Sequence, residues 1–234
     1  MKSEVLHQVY DALFRHYGPR HWWPADSQFE VMVGAVLTQN TSWTNVERSL
    51  ARLREIVPLN PGAILALQAD VLAEVLRPVG YFNVKAARLR SLCRWLLDQG
   101  GLQKLAASET LSLRNALLAV HGVGPETADD ILLYAFGRSV FVIDAYTRRL
   151  FGRLGLACKD APYEVLRAEI EQALPQDSRL YNEYHALIVE HAKTTCRTKP
   201  LCAGCILKEG CLSAREFLLG GIQVKRVSRG QTGP

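Results

Sequence analysis

The sequence predicts an all-α fold. Apolar residues recur at helical spacing in nine segments, glycines and prolines interrupt the chain between them, and a single short stretch looks extended. In chain order the first three patterns are "VLHQVYDALFRHY" at 5–17, "FEVMVGAVL" at 29–37 and "VERSLARLREIV" at 46–57. Pro58 through Pro61-Gly62 end the third, and Pro78 to Gly80 precede "AARLRSLCRWLLDQ" at 86–99, which Gly100-Gly101 close. "LRNALLAV" at 113–120 and "TADDILLYAF" at 127–136 flank a turn from Gly122 to Pro125, and Gly137 ends the second of them. "SVFVI" at 139–143 is strand-like but short enough to be an extended link. "AYTRRLFGRL" at 145–154, "YEVLRAEIEQAL" at 163–174, stopped by Pro175, and "YNEYHALIVEHA" at 181–192 complete the set. No internal repeat is evident. The end, "GGIQVKRVSRGQTGP", is polar and glycine-rich, so residues 217–234 are expected to form a disordered tail.

A chain of 234 residues can bury a core as one large domain or two interlocked small ones. Its 48% hydrophobic and 22% charged content excludes intrinsic disorder and fits a soluble globular protein. No run approaches the roughly 20 apolar residues of a membrane span, so no membrane partner is expected. The start, "MKSEVLHQVYDALF", lacks an apolar signal core, which makes a cytoplasmic location the expectation. The net charge of +5 is unevenly placed. From Lys193 onward eight basic residues face only Glu209 and Glu216, a local +6 that leaves −1 for everything before. Basic charge gathered at one end is compatible with a polyanion partner and equally with a solvated tail.

The turn at 122–125 can hold a phosphate. Gly122-Val123-Gly124 permits positive φ and close approach, and Pro125 suits the first position of the next helix. Backbone amides there, with Thr127 in the first turn, can face a phosphate oxygen with the helix dipole behind them, a contact that positions DNA without reading its sequence. A few residues on, "VFVIDAYTRRL" places Asp144 before a helix, where it can act as a cap and where the dipole favours its charged form. A carboxylate held ionised beside such a hairpin can also steady positive charge developing on a sugar and orient a water.

Near the end, "CRTKPLCAGCILKEGC" spaces Cys196, Cys202, Cys205 and Cys211 with five, two and five residues between them. Four thiolates so close in a cytoplasmic chain imply a metal centre, and the spacing alone leaves zinc and a [4Fe-4S] cluster both open. Cys93 and Cys158 stand alone and are expected to be buried thiols.

"LLAVHGVGPETADDILLYA" followed by "VIDAYTRRL" resembles the helix-hairpin-helix DNA glycosylases of the endonuclease III superfamily, over about residues 25–212. The resemblance implies a two-lobed, all-α fold: a six-helix barrel with the hairpin at 28–136, and a discontinuous cluster lobe from 1–27 and 137–216. Asp144 takes the catalytic place. Members that also cut the strand carry a lysine where this chain has Glu126, and an acid cannot form an imine, so base removal by water without lyase chemistry is expected. The resemblance favours [4Fe-4S] over zinc and places Arg197 and Lys199 in a loop that meets the DNA backbone. Damaged double-stranded DNA is the implied partner, and the protein is expected to be a monomer.

Two more positions follow from the same likeness. Gln39 in "VLTQNTSW" sits where the superfamily has a gap-filling glutamine, and Tyr81 in "RPVGYFNVKA" occupies the usual wedge position, both needed when a base is turned out of the duplex. Trp22, Trp23 and Pro24 cluster in "RHWWPADSQFE" and Trp43 follows Gln39, an aromatic set able to sandwich a cationic base, with Glu126 at the entrance. "WWP", "LTQNTSW" and "GPETAD" together are similar to the 3-methyladenine branch, so an alkylated purine is the expected substrate. The adenine-mismatch branch fits less well, because its catalytic glutamate falls where this chain has Ala35. Two alternatives stay open: a glycosylase for oxidised or deaminated pyrimidines, and a non-catalytic damaged-DNA-binding protein.

Overall fold

The computed structural model describes residues 2–20, 22–158 and 160–219. Among them the chain is all-α, with no strand. Every segment with helical periodicity forms a helix: α1 (Ser3–Tyr17), α2 (Gln28–Leu37), α3 (Trp43–Ile56), α6 (Phe82–Asp98), α8 (Thr110–Leu118), α9 (Pro125–Asp130), α10 (Ala145–Leu154), α11 (Tyr163–Ala173) and α12 (Ser178–Thr194). Past Asp130, α9 continues as a wider π turn over Ile131–Ala135. Four shorter helices, α4 (Pro61–Ala66), α5 (Ala69–Val75), α7 (Leu102–Ala106) and α13 (Leu212–Leu219), escape the periodicity because each spans about two turns or less. Pro61 opens α4 rather than breaking a helix, and the Asn60 side chain caps it by accepting the Ala63 N–H at 2.9 Å. Helix α13 reaches Leu219, past the expected start of the tail at 217; residues 220–234 lie outside the described residues. No helix among the described residues is long and apolar enough to cross a membrane.

Residues 139–143 run extended without a partner strand. Side chains of α11 satisfy this backbone instead: Glu171 accepts the Phe141 N–H at 2.9 Å and the Tyr163 hydroxyl accepts that of Ile143 at 3.4 Å. The link thus carries Asp144 at its end with little freedom to move.

Two hydrophobic clusters form. The first is built around α2, whose residues Phe29 to Leu37 are all buried, wrapped by α3 to α9. A helix apolar on every side has to sit at the centre of its neighbours. The second joins α1 to α10, α11 and α12. Leu6, Val9 and Leu13 give α1 its buried face, and the Tyr184 hydroxyl donates to the Leu6 carbonyl at 2.9 Å, so the chain's first helix packs against one of its last.

A buried ion network ties the hairpin helices to α11. Arg114 of α8 donates twice to Asp129 of α9, at 2.6 and 3.1 Å, and once to Glu164 of α11 at 2.7 Å. The Tyr163 hydroxyl donates to Asp129 at 2.9 Å, and Arg167 pairs with Glu164 and Glu171. Because Asp129 is fully buried, removing one partner strands a charge in the interior. Arg114→Met is expected to lose about 3–5 kcal/mol of stability in chemical denaturation, whereas Arg114→Met with Asp129→Leu should recover most of it. A loss below about 1 kcal/mol in the single variant would show that the network is not a structural tie.

Candidate active site and nucleic-acid surface

Asp144 caps α10. Its Oδ1 accepts the Thr147 N–H at 2.7 Å, while Oδ2 lies 3.5 Å from His185 Nε2 on α12. The other imidazole nitrogen, Nδ1, meets the Tyr134 hydroxyl at 2.5 Å, on the π turn that extends α9. Three elements therefore converge on one carboxylate. Burial raises its pKa, but the charge and contact of His185 and the Thr147 N–H outweigh burial and hold Asp144 below the usual carboxylate value. The side chain is 13% exposed, and that exposure opens onto a cavity of about 540 Å³.

The cavity has an aromatic wall and an acidic wall. Trp22, Trp23 and Trp43 form the first. Trp23 meets Trp43 edge-on at 5.0 Å between centroids, and Trp22 tilts against Trp43 at 6.2 Å. Gly34 of α2 lets the indoles approach: a Cβ there would lie 3.1 Å from Trp23 and 3.3 Å from Trp43. Pro24 departs from expectation. It is exposed and lies outside the cavity lining, in the irregular segment that leads to the Ser27 cap of α2.

Glu126 and Asp130, one turn apart on α9, form the acidic wall. Glu126 is solvent-exposed at the cavity mouth. Desolvation by the surrounding protein, and secondly the charge on Asp144, push its carboxyl up to about 7. Asp130 is buried deeper and is raised well above the usual value, first by burial and then by Glu126 and Asp144. Lys193 of α12 closes the rim, its ammonium 5.5 Å from the Trp22 ring centroid and 5.9 Å from that of Tyr146.

A second, shallower hollow adjoins the first at Asn40 and Glu126 and is floored by the hairpin. Gly122 has φ 87° and Gly124 caps α9, leaving the first-turn N–H groups without helical acceptors. Gly122 has a second reason to lack a side chain, since Arg88 of α6 lies directly across it. Val123 is buried, and so is Thr127, whose hydroxyl holds Gln39 rather than facing outward. Gln39 Nε2 donates to that hydroxyl at 2.9 Å and to the Gly122 carbonyl at 3.1 Å, and its Oε1 accepts from Arg88. The glutamine is thereby clamped at the lip between the two hollows.

Tyr81 projects freely, 76% exposed, from a left-handed backbone at φ 45°. Such a conformation in an aromatic residue is costly and persists only where its surroundings enforce it. Lys85 helps: its buried ammonium donates to the Val79 carbonyl at 2.7 Å, in the turn just before Tyr81. Desolvation, and then Arg88, lower that lysine to about 8.

Arg197 and Lys199 are exposed on a further hollow shared with Tyr146, Arg149 and Lys193, so the basic rim continues from the cavity onto the last loop. Behind that loop Cys196, Cys202, Cys205 and Cys211 line one small cavity among apolar side chains. Arg153 of α10 donates to Cys196 Sγ at 3.3 Å and to the carbonyls of Arg197 and Thr198 at 2.6 and 3.0 Å. Among the described residues no group of three or more His, Cys, Asp or Glu side chains is arranged to hold a single metal ion. Of the two lone cysteines, Cys93 is buried as expected. Cys158 is exposed, because it lies in the loop between α10 and α11 rather than on a helix face.

Sequence reasoning missed Lys85, Arg88, Asp130, Tyr134 and His185, and gave Lys193 only as the start of the basic segment. Each sits on a helix face whose pattern is dominated by core residues, and only the "DD" pair at 129–130 is a visible anomaly in an apolar run.

A family profile for the HhH-GPD superfamily of base excision DNA repair proteins matches residues 33–176. A putative DNA repair glycosylase of Methanocaldococcus jannaschii is 47% identical over 215 residues, covering 91% of this chain and 98% of the relative. Endonuclease III of Escherichia coli is 27% identical over 186 residues, 79% of this chain and 83% of the relative. Among solved structures, a non-covalent endonuclease III–DNA complex superposes with a TM-score of 0.82 at 20% identity, over 94% of this chain and 99% of that one. The H. pylori 3-methyladenine DNA glycosylase bound to 1,N6-ethenoadenine superposes with a TM-score of 0.70 at 31% identity, over 82% and 98%.

The His185 contact has a measurable consequence. In His185→Asn the charge that opposes burial is gone, so the Asp144 carboxyl is expected to titrate at higher pH than in the unaltered protein, read by carboxyl-carbon NMR. An unchanged titration would mean that the Thr147 N–H alone keeps Asp144 ionised.

Proposed function

The chain belongs to the HhH-GPD superfamily of base excision DNA repair proteins and is a DNA glycosylase of the endonuclease III type; from that premise we propose that it is monofunctional and hydrolyses the N-glycosidic bond of a flipped, alkylated purine such as 3-methyladenine. The observation that carries this reading is a carboxylate kept ionised in the same cavity as three indoles, with an acid at the position where strand-cutting relatives need an amine. Asp144 stabilises the oxocarbenium-like sugar as the base leaves and orients the water that attacks C1′. The indole faces and the Asp144 charge together attract a base carrying positive charge. The likeness to a 3-methyladenine glycosylase at 31% identity supports the same substrate class.

In this reading the hairpin at Gly122 to Gly124 and the loop bearing Arg197 and Lys199 hold the backbone on either side of the lesion in double-stranded DNA. Tyr81 wedges into the stack and Gln39, released from Thr127, fills the vacated space. In the same reading the two lobes lie at 28–136 and at 1–27 with 137–216, resting mainly on the first and the second hydrophobic cluster respectively.

The four thiols fit a [4Fe-4S] cluster better than zinc. They line one cavity among apolar side chains, and Arg153 beside Cys196 offsets thiolate charge. Cys196, Cys202, Cys205 and Cys211 would hold the cluster, which would tie the last loop to the end of α12, a structural role.

A panel of duplexes, each carrying one damaged base, tests the assignment. Release of alkylated purines ahead of thymine glycol or uracil is expected, with Asp144→Asn losing at least about 100-fold in rate. Preferential release of an oxidised or deaminated pyrimidine would overturn the substrate class, and binding without release would overturn the enzyme. Borohydride is expected to trap no covalent complex with abasic DNA; trapping through any lysine would restore lyase chemistry. Protein purified without oxygen is expected to be brown, absorbing near ~400 nm, and a colourless protein holding one zinc would reverse the cluster assignment.

A further inference from the structure

We propose that Glu126 is a general acid that protonates the departing base, which extends the enzyme from cationic lesions to neutral purines; the inference rests on the glycosylase reading above. A base that already carries positive charge leaves as a neutral molecule and needs no proton. A neutral purine leaves as an anion unless a ring nitrogen is protonated as the glycosidic bond breaks. The cavity contains a group suited to that task.

Three carboxyl groups, Glu126, Asp130 and Asp144, share one space, and three negative charges so close cannot all persist. Their surroundings divide the roles. Asp144 has an imidazole and a backbone N–H, and so keeps its charge. Glu126 makes neither a hydrogen bond nor an ion pair among the described residues, yet opens onto both the cavity and the hairpin hollow, where an entering nucleotide must pass. Asp130 lies deeper on the same helix face, buried behind Glu126. Glu30, the acid on central helix α2, is spent in an ion pair with Arg54 outside the cavity, and Ala35 offers no acid at all. Two carboxyl groups with protonation states forced apart make an acid and an anion from the same chemistry.

The step balances within the site. The Glu126 carboxyl gives its proton to a ring nitrogen of the base as the C1′–N bond breaks and its electron pair stays with the base. Water adds to C1′ through its oxygen, its released proton passes to Asp144 and then to solvent, and solvent returns one to Glu126. The net change is one water consumed, one free base and one abasic sugar.

The charged and titratable neighbours of Glu126 come from five elements: Asp130 on its own helix, Asp144 with Arg148 at α10, His185 with Lys193 on α12, and, across the hollow, Arg88 on α6 and Tyr163 on α11. With its carboxyl pushed up to about 7, the acid form is present below that pH and lost above it, while Asp144, held low, stays ionised throughout. Release of a neutral purine is therefore expected to fall as pH rises through about 7, and release of a cationic one to be much flatter.

The test uses the full chain in single-turnover base release from two duplexes, one carrying 1,N6-ethenoadenine as the neutral probe and one carrying 7-methylguanine as the cationic probe. Glu126→Gln is expected to slow the neutral probe by about 100-fold or more and the cationic probe by about 10-fold or less, and to abolish the descending limb near pH 7. Glu126→Asp, which restores an acid, should recover part of that limb. Equal losses on both probes, a limb that survives in Glu126→Gln, or no release of the neutral probe by the unaltered protein would each overturn the proposal. If the unaltered protein releases neither base, the glycosylase reading itself fails; if it leaves 1,N6-ethenoadenine in place but releases 7-methylguanine in a reaction that Asp144→Asn abolishes, only the Glu126 proposal fails.

Discussion

One requirement organises the site: a carboxylate must stay charged in a cavity that already contains two others and is walled by indoles. Asp144 meets it because α10 begins there, presenting the Thr147 N–H, and because α12 passes close enough for His185 to reach. Tyr134 engages the far side of the imidazole, so the π turn after α9 contributes as well. The wide turn sits directly behind the acidic wall, a placement common for such irregular turns at functional sites. Without these contacts burial would act unopposed and raise the Asp144 carboxyl.

The helices that hold Asp144 also lead to the cysteines. Helix α10 starts at its cap and ends at Arg153, which donates to Cys196 and to the loop carrying Arg197. Helix α12 carries His185, then Lys193, then runs into Cys196. Arg153 thus ties the end of α10 to the loop that follows α12, and the same loop carries the basic rim beside the cavity. On the other side the Arg114–Asp129–Glu164 network locks the hairpin helices to α11, so the acidic wall and the cap are positioned by rigid elements rather than by loops. Gln39 and Tyr81 differ in kind. One is clamped by Thr127 and Arg88 and the other stands free in a left-handed backbone, a pair of stored conformations at the surface where nucleic acid would dock.

Much of the helical order was legible because its elements are long and one-faced, from α1 with Leu6, Val9 and Leu13 to α12. The cap at Asp144 was legible too, since an acid between an apolar run and a helical pattern has few other uses. The tryptophan wall followed from clustering, although Pro24 lies outside the lining. What could not be read were partners distant in sequence. His185 stands 41 positions beyond Asp144 in a segment whose apolar neighbours give no hint of a polar contact, and Arg88 reaches Gln39 over 49. Thr127 shows the same limit: in the sequence it is a first-turn residue available to phosphate, and in the fold it is buried under Gln39.

By itself the sequence determined the local terms: helical periodicity, the glycine turn, the capping acid, the thiol spacing and the substitution of Glu126 for an amine. These depend on neighbours a few residues apart, whose geometry the backbone dictates. Tertiary structure alone decided which acids are charged. Protonation depends on burial and on charges brought together through space, and Glu126, Asp130 and Asp144 acquire different states only when α9, α10 and α12 close around one cavity.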